Sequence, residues 1–187
     1  YTWTSSNAFS GTATIPNIVV SGGGTVVLTN NGTLTCSSLS GTDGLAQGAT
    51  GVFNYSGGTI TSATFSASTA GNVVNYTGAA QTVEPVIYSN LVLSGSGSKT
   101  MTSVTVNEKL SMQGTATAGN TFTYSTAILE YKGSSLQTTS NNEFPAAGTG
   151  ITQLIIDNAA GVTLNGAKAL NGILNMTNGD LNTTNAN

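Results

Sequence analysis

Histidine and arginine are both absent from this chain of 187 residues, which has one cysteine and three prolines. Without histidine there is no Ser-His-Asp or Cys-His nucleophile, no imidazole metal ligand and no proton shuttle near neutral pH. Four lysines and seven carboxylates give a net charge of −3, and no basic cluster occurs to neutralise phosphates. These absences exclude triad chemistry and argue against a nucleic-acid partner.

The single cysteine, Cys36, cannot form a disulfide within the chain. It occupies an apolar alternation position, which predicts a buried and unreactive thiol. Apolar runs are only a few residues long, so the sequence predicts no insertion into a membrane. The chain has neither an initiator methionine nor a closing motif, and we expect it to be a processed chain or a piece of a longer repetitive one.

Threonine, serine, asparagine and glycine are abundant and account for 97 of the 187 residues. Such a composition is typical of disordered linkers, which also have low hydrophobicity and high net charge. This chain has neither property, because its mean hydropathy is +0.08 and 38% of its residues are hydrophobic. The composition therefore favours a folded protein whose solubility depends on hydroxyl and amide groups.

Short stretches of alternating apolar and polar residues recur along the chain. Examples are 25–29, 59–61, 91–93 and 104–106, which are rich in β-branched residues and bounded by Gly, Asn or Ser. Turn dipeptides such as Asn31-Gly32 separate them. Helical periodicity is nearly absent, so the sequence predicts an all-β fold.

The spacing of these stretches is close to twenty residues. Residues 52–57 reappear at 73–78, and Leu91 and Leu93 recur 19 residues later as Leu110 and Met112. A fixed period of this size indicates a solenoid, and we predict a right-handed parallel β-helix with coils of about 21 residues. One or more antiparallel β-sandwiches remain the alternative, because strands every 8–12 residues also fit the turn density.

A longer repeat of about 63 residues relates Leu91 to Leu154. The second copy contains about eight extra residues, which predicts a loop insertion near 140–147. We expect residues 1–187 to form a single β-solenoid segment.

Three stretches, 73–82, 90–101 and 104–110, resemble repeats of very large cell-surface adhesins of Bacteroidetes. Those repeats contain a tyrosine or phenylalanine strand followed by Gln-Thr, then Asn-Leu-strand, Gly-Ser-Lys-Thr-Leu and Val-Asn-Gly-strand. Glu108 departs from the pattern, where a small residue is expected. The resemblance covers roughly residues 51–184 and implies an extracellular location at the cell surface, export by the type 9 secretion machinery, and a role in adhesion or gliding motility.

The carboxylates are dispersed, with no pair within five residues, and each is expected to be a solvated turn residue. Residues brought together by stacking could still form an acid pair of the kind that glycosidases use. No calcium loop or phosphate loop occurs, so the sequence predicts neither a metal site nor a cofactor.

Two aromatic residues, Trp3 near the start of the chain and Phe144 in the predicted insertion, are the candidates for an exposed contact with a ligand or surface. Tyr55 and Tyr76 occupy equivalent coil positions and should form a buried or half-buried ladder. Thr-x-Thr pairs would place two hydroxyls on one strand face, but their irregular spacing predicts no continuous stripe. Ordinary strand preference accounts for them.

Three functions follow from the sequence. The favoured one is a non-catalytic structural or adhesive segment of a secreted surface protein, acting as a stiff spacer or as a rod that contacts a polysaccharide, a cell or an abiotic surface. The second is a carbohydrate-binding or ice-binding module. The third, a β-helix enzyme acting on polysaccharides, is the least favoured, since no acid pair is visible.

Overall fold

A computed structural model describes residues 1–183, which form a β-solenoid of about ten turns without any helix. The strands are β1 (Thr2–Trp3), β2 (Asn7–Phe9), β3 (Thr12–Thr14), β4 (Asn17–Val20), β5 (Val27–Asn30), β6 (Thr33–Cys36), β7 (Ser38–Gln47), β8 (Val52–Tyr55), β9 (Thr61–Ser66), β10 (Val73–Tyr76), β11 (Gln81–Thr82), β12 (Ile87–Leu93), β13 (Ser96–Thr100), β14 (Thr105–Gln113), β15 (Thr115–Ala118), β16 (Thr123–Tyr124), β17 (Ala127–Gly133), β18 (Gln137–Thr138), β19 (Ile151–Asn158), β20 (Val162–Thr163), β21 (Ile173–Asn178) and β22 (Leu181–Asn182).

Every strand pair within residues 1–183 is parallel. The longest sheet runs in the order β3-β6-β8-β10-β12-β14-β17-β19-β21, with β16 also paired to β14. A second sheet contains β1, β4, β7, β5, β2 and β9, and two short sheets contain β11-β13-β15 and β18-β20-β22. Parallel pairing throughout confirms the predicted β-helix and excludes the antiparallel sandwich.

Equivalent strands lie about 19 residues apart, slightly less than the predicted 21. The spacing varies between coils: Val52 pairs with Val73, 21 residues later, whereas Leu91 pairs with Leu110, 19 residues later. The longest coil joins β17 to β19, where Ile128 pairs with Gln153, 25 residues later. Residues 140–147 lie within this long coil, between β18 and β19.

Two columns of inward-facing side chains form the core of the longest sheet. The first column contains Leu34, Phe53, Val74, Leu91, Leu110, Leu129, Leu154 and Leu174, and the second contains Cys36, Tyr55, Tyr76, Leu93, Met112, Tyr131, Ile156 and Met176. All members are buried except Leu174 and Met176 in the last coil. The predicted tyrosine ladder is confirmed, with the rings of Tyr55 and Tyr76 edge to face at 6.0 Å between centroids.

Glycine closes the corner between consecutive strands in successive coils. Gly95 precedes β13 and Gly114 precedes β15, and both have positive φ angles, of 73° and 61°. A Cβ atom on Gly114 would lie 2.6 Å from the carbonyl oxygen of Gly95 in the coil before. The corner therefore needs glycine for its backbone conformation and for the close approach of the neighbouring coil.

We expect Leu110→Ala to lower the free energy of unfolding by about 2–5 kcal/mol, because a buried leucine leaves a cavity when it is truncated. Leu174→Ala is the matched control, since Leu174 occupies the same column but is 46% exposed. Its effect should be under about 1 kcal/mol, because less apolar surface is lost. Urea unfolding followed by circular dichroism measures both values. Equal losses in the two variants would contradict the stacked core.

Candidate functional site

The third face of the solenoid is interrupted between two consecutive coils. Its strands belong to the two short sheets, β11-β13-β15 and β18-β20-β22, and no hydrogen-bonded ladder joins β15 to β18 in the described residues. On the neighbouring face the same two coils remain paired through β14 and β17. The coils are thus held together on one side and open on the other.

A cleft with a volume of about 180 Å³ occupies this interruption. One wall is β15 and the other is formed by Leu136 and β18, while Met112 and Tyr131 contribute the floor. Side-chain hydrogen bonds cross between the two coils. Gln137 Nε2 donates to the carbonyl of Met112 at 3.0 Å, and Asn142 Nδ2 donates to the carbonyl of Ala118 at 2.8 Å.

Glu143 lines the cleft and is only 2% exposed. Its Oε1 accepts hydrogen bonds from the Tyr131 hydroxyl at 2.9 Å and from the backbone N–H of Ser140, and its Oε2 accepts one from the Ser140 hydroxyl. A carboxylate offers about four acceptor positions, so about one of them has no donor among residues 1–183. These three donors hold a buried carboxylate in a fixed orientation beside the cleft.

The segment that contains Glu143 is tied to the coils on both sides. Asn142 bonds to Ala118 in the coil before, and Lys168 in the coil after donates to the Asn141 side chain at 2.5 Å and to the carbonyl of Phe144 at 2.6 Å. Lys168 Nζ also lies 5.5 Å from the centroid of the Phe144 ring. These contacts fix the segment in place along the wall of the cleft.

Glu143 was missed as a site residue in the sequence, although a signal was present. Ser140 and Glu143 have the Ser-x-x-Glu spacing of a capping box, in which the glutamate reaches back to the backbone N–H of the serine. That contact occurs here, and the backbone N–H of Phe144 also donates to the carbonyl of Ser140 at 3.1 Å.

The two predicted contact residues, Trp3 and Phe144, lie far apart along the solenoid. Trp3 belongs to β1 in the first coil, is half-buried, and stands 4.6 Å from the ring of Tyr1. Phe144 is 1% exposed, so the prediction that it makes an exposed contact is wrong. The tight turn at 140–144 and the side chain of Lys168 enclose its ring.

The prediction of solvated carboxylates is wrong for Asp43, Glu130 and Glu143, which are 3%, 8% and 2% exposed. Asp43 accepts hydrogen bonds from the backbone N–H groups of Gly22 and Val26. These donors, that of Gly22 above all, hold the pKa of Asp43 below its usual range. Asp43 and Glu143 thus accept hydrogen bonds from the backbone at turns, whereas Glu130, within β17, accepts one from the Ser111 hydroxyl at 2.6 Å.

Burial also shifts the pKa of two further groups, the Lys99 ammonium and the Cys36 thiol. Lys99 is fully buried, and its ammonium donates to the carbonyls of Gly78 and Ala79 and to the Gln81 side chain at 2.6–2.7 Å. Burial lowers the pKa of Lys99 to about 8. Cys36 is buried as predicted, and burial raises the pKa of its thiol to about 12.

Hydroxyl groups align in short rows on the third face. Thr82 pairs with Thr100, and Ser98 pairs with Thr117. These pairs line or adjoin a second, more open depression near Thr59. Each row spans two coils. The row of Thr82 and Thr100 ends there because Gly119 occupies the equivalent position in the next coil.

Within residues 1–183, no three His, Cys, Asp or Glu side chains are grouped so as to hold a metal ion. In the same range no helix is long and apolar enough to cross a membrane.

We expect Asp43→Asn to reduce the sensitivity of the fold to acid. Because the folded pKa of Asp43 is lowered, its stabilising effect is complete above the unfolded pKa of about 3.9 and disappears as the pH falls through the folded value. Urea unfolding between pH 6 and pH 2 should show a smaller loss of stability in Asp43→Asn than in the unaltered protein. Identical pH profiles would contradict a role for this carboxylate.

Comparisons of the chain with protein-family models, with curated proteins and with solved structures gave no match.

Proposed function

We propose that this chain is a non-catalytic structural and adhesive segment of an extracellular surface protein, in which it acts as a stiff rod. The observation that carries the proposal is the unbroken parallel ladder from β3 to β21, which joins consecutive coils along the whole described chain. About ten turns at the usual strand spacing give a rod roughly 45 Å long.

The long sheet is continuous from coil to coil between β3 and β21. Each coil is bonded to the one before it, and the two core columns continue through the same strands. Solenoids of this kind are stabilised by contacts between neighbouring repeats, so each coil is held by the same kind of interface along the rod. A spacer that must keep its length under load needs this property.

The last described coil exposes apolar side chains. All six residues of β21 are exposed, including Leu174 and Met176, which continue the two core columns.

The side chains of five of the seven acids, Asp43, Glu108, Glu130, Glu143 and Asp157, have partners that hold the fold together, which supports a non-catalytic role. Glu108 accepts from Ser89, Asn90 and Gly71, while Glu130 and Asp157 form ion pairs with Lys109 and Lys132.

The resemblance to Bacteroidetes surface repeats supports the location and the partners that we propose. These are the cell surface, the type 9 secretion machinery for export, and a polysaccharide, cell or abiotic surface as the contact. A carbohydrate-binding module is the second candidate, favoured by the cleft between β15 and β18.

Pulling on the two ends of the chain tests the rod directly, because the first and last coils load every coil in series. In single-molecule force spectroscopy we expect a constant length at low force, followed by abrupt unfolding when coils separate. Gradual extension at low force would contradict a stiff spacer.

The matched test of the non-catalytic role uses neutral and acidic polysaccharides incubated with the same protein. Release of new reducing ends above a heat-unfolded control would overturn that part of the proposal.

Beads coated with the chain should adhere to a polysaccharide or abiotic surface more strongly than beads coated with the unfolded protein.

A further inference from the structure

We propose that the cleft between β15 and β18 is a binding site for one neutral sugar ring of a polysaccharide. The proposal goes beyond the rod, since a rod could serve as a spacer without any saccharide site. Three features of the cleft carry it: its open backbone edges, its charge and its size.

The two walls are strand edges whose backbone groups face the cleft. Thr115 and Gly119 donate their N–H groups to Gly95 and Lys99 in the coil before. Alternate residues of a parallel strand bond to the same neighbour, so the N–H groups of Ala116 and Ala118 point the other way, toward the cleft. On the facing wall, Gln137 and Thr139 donate to the coil after, which directs the backbone of Thr138 into the cleft.

These edges offer the N–H groups of Ala116, Ala118 and Thr138 as donors and the carbonyls of Ala116 and Thr138 as acceptors, while the carbonyl of Ala118 already accepts from Asn142. A sugar hydroxyl both donates and accepts hydrogen bonds, so it matches such a mixed lining. The side-chain hydroxyls of Thr115, Thr117 and Thr138 add further groups at the rim. Ala116 and Met112 also line the cleft and offer apolar surface for the C–H face of a ring.

The charge of the lining selects among ligands. Among the described residues that line the cleft, Glu143 is the one charged side chain and none is a lysine, which disfavours an anionic ligand. A calcium ion would need 6–8 oxygen ligands with several carboxylates, and one carboxylate is present. Lys168 lies close enough to interact with Glu143 electrostatically, which lessens the need for a cationic ligand.

The open acceptor position on Glu143 therefore suits a neutral hydroxyl. A hydrogen bond from a sugar hydroxyl to a buried carboxylate is stronger than one to a neutral acceptor. Ser140 and Tyr131 fix the carboxylate before any ligand arrives, so little ordering is required on binding.

The volume limits the ligand to a small unit. Pockets for drug-sized molecules measure roughly 300–1,000 Å³, whereas this cleft has about 180 Å³. A single ring fits that space, and the open mouth beside Leu136, which is 60% exposed, lets the rest of a polysaccharide leave the site.

The test is a nuclear magnetic resonance titration of the full chain with the methyl glycosides of glucose, galactose and mannose. We expect millimolar binding of at least one glycoside, with shifts of the backbone amides of Ala116, Ala118 and Thr138. Glucuronic acid and butylamine serve as the anionic and cationic probes, and an extended uncharged peptide tests pairing with the strand edges.

Variants separate the cleft from the rest of the surface. Glu143→Gln should weaken binding about tenfold to a hundredfold, because a hydrogen bond to a charged group is lost. Thr138→Val should weaken it about fivefold and keeps the fold testable if Glu143→Gln is unstable. Thr82→Val is the matched control, since Thr82 is an exposed threonine on the same face in an earlier coil, and it should bind as the unaltered protein does.

Several results would overturn the site: no binding of any glycoside, binding unchanged by both Glu143→Gln and Thr138→Val, or tighter binding of glucuronic acid, butylamine or the peptide. The outcome is separate from that of the pulling experiment, because loss of sugar binding leaves the stiffness of the rod unchanged.

Discussion

The structure depends on one constraint, the in-register parallel pairing of each coil with the next. Parallel strands place every side chain about 4.8 Å from its equivalent in the neighbouring coil. Two like charges at that distance repel by about 3–4 kcal/mol at an effective dielectric constant of 20. A column of identical charges is therefore costly, whereas columns of leucine, tyrosine or asparagine are favourable. The scarcity of charge in the chain is consistent with this geometry. An acid within a column is paired with a hydroxyl or a lysine of the neighbouring coil, as Glu130 is with Ser111 and Lys109.

Polar side chains complete the backbone wherever the pairing turns or stops. Gln81 bridges the carbonyls of Tyr55 and Gly57, and Lys99 in the next coil bonds to Gln81 and to two further carbonyls. Buried polar groups are stable only when they are hydrogen-bonded, and these groups are. The same device acts at the interrupted face, where Gln137 and Asn142 cross between coils. The cleft is thus an interruption of the third face, lined in part by Glu143 from the long coil.

The sequence predicted the repeating features and missed the local exceptions. Recurrence of Asn-Tyr at 54–55 and 75–76, and of Leu at 91 and 110, was enough to predict the parallel register that the structure has. Side chains that repeat can be recognised because the same environment repeats. Phe144 and Glu143 occur once, in a coil of 25 residues, and their burial depends on Lys168 in the next coil and on Tyr131 in the same one. Neither contact produces a repeating pattern in the sequence, although the Ser-x-x-Glu spacing at 140–143 indicates the local turn.

The most direct test of the parallel stack measures two distances between pairs of spin labels by pulsed electron paramagnetic resonance, in a Cys36→Ser background. Labels at Asn54→Cys and Ile155→Cys lie on outward positions five coils apart in the register, which predicts roughly 24 Å between their backbones. Moving the second label to Asn175→Cys adds one coil and should lengthen the distance by about 5 Å. A distance that stays constant or shortens on that change would contradict the stacked solenoid on which the rod and the cleft both depend.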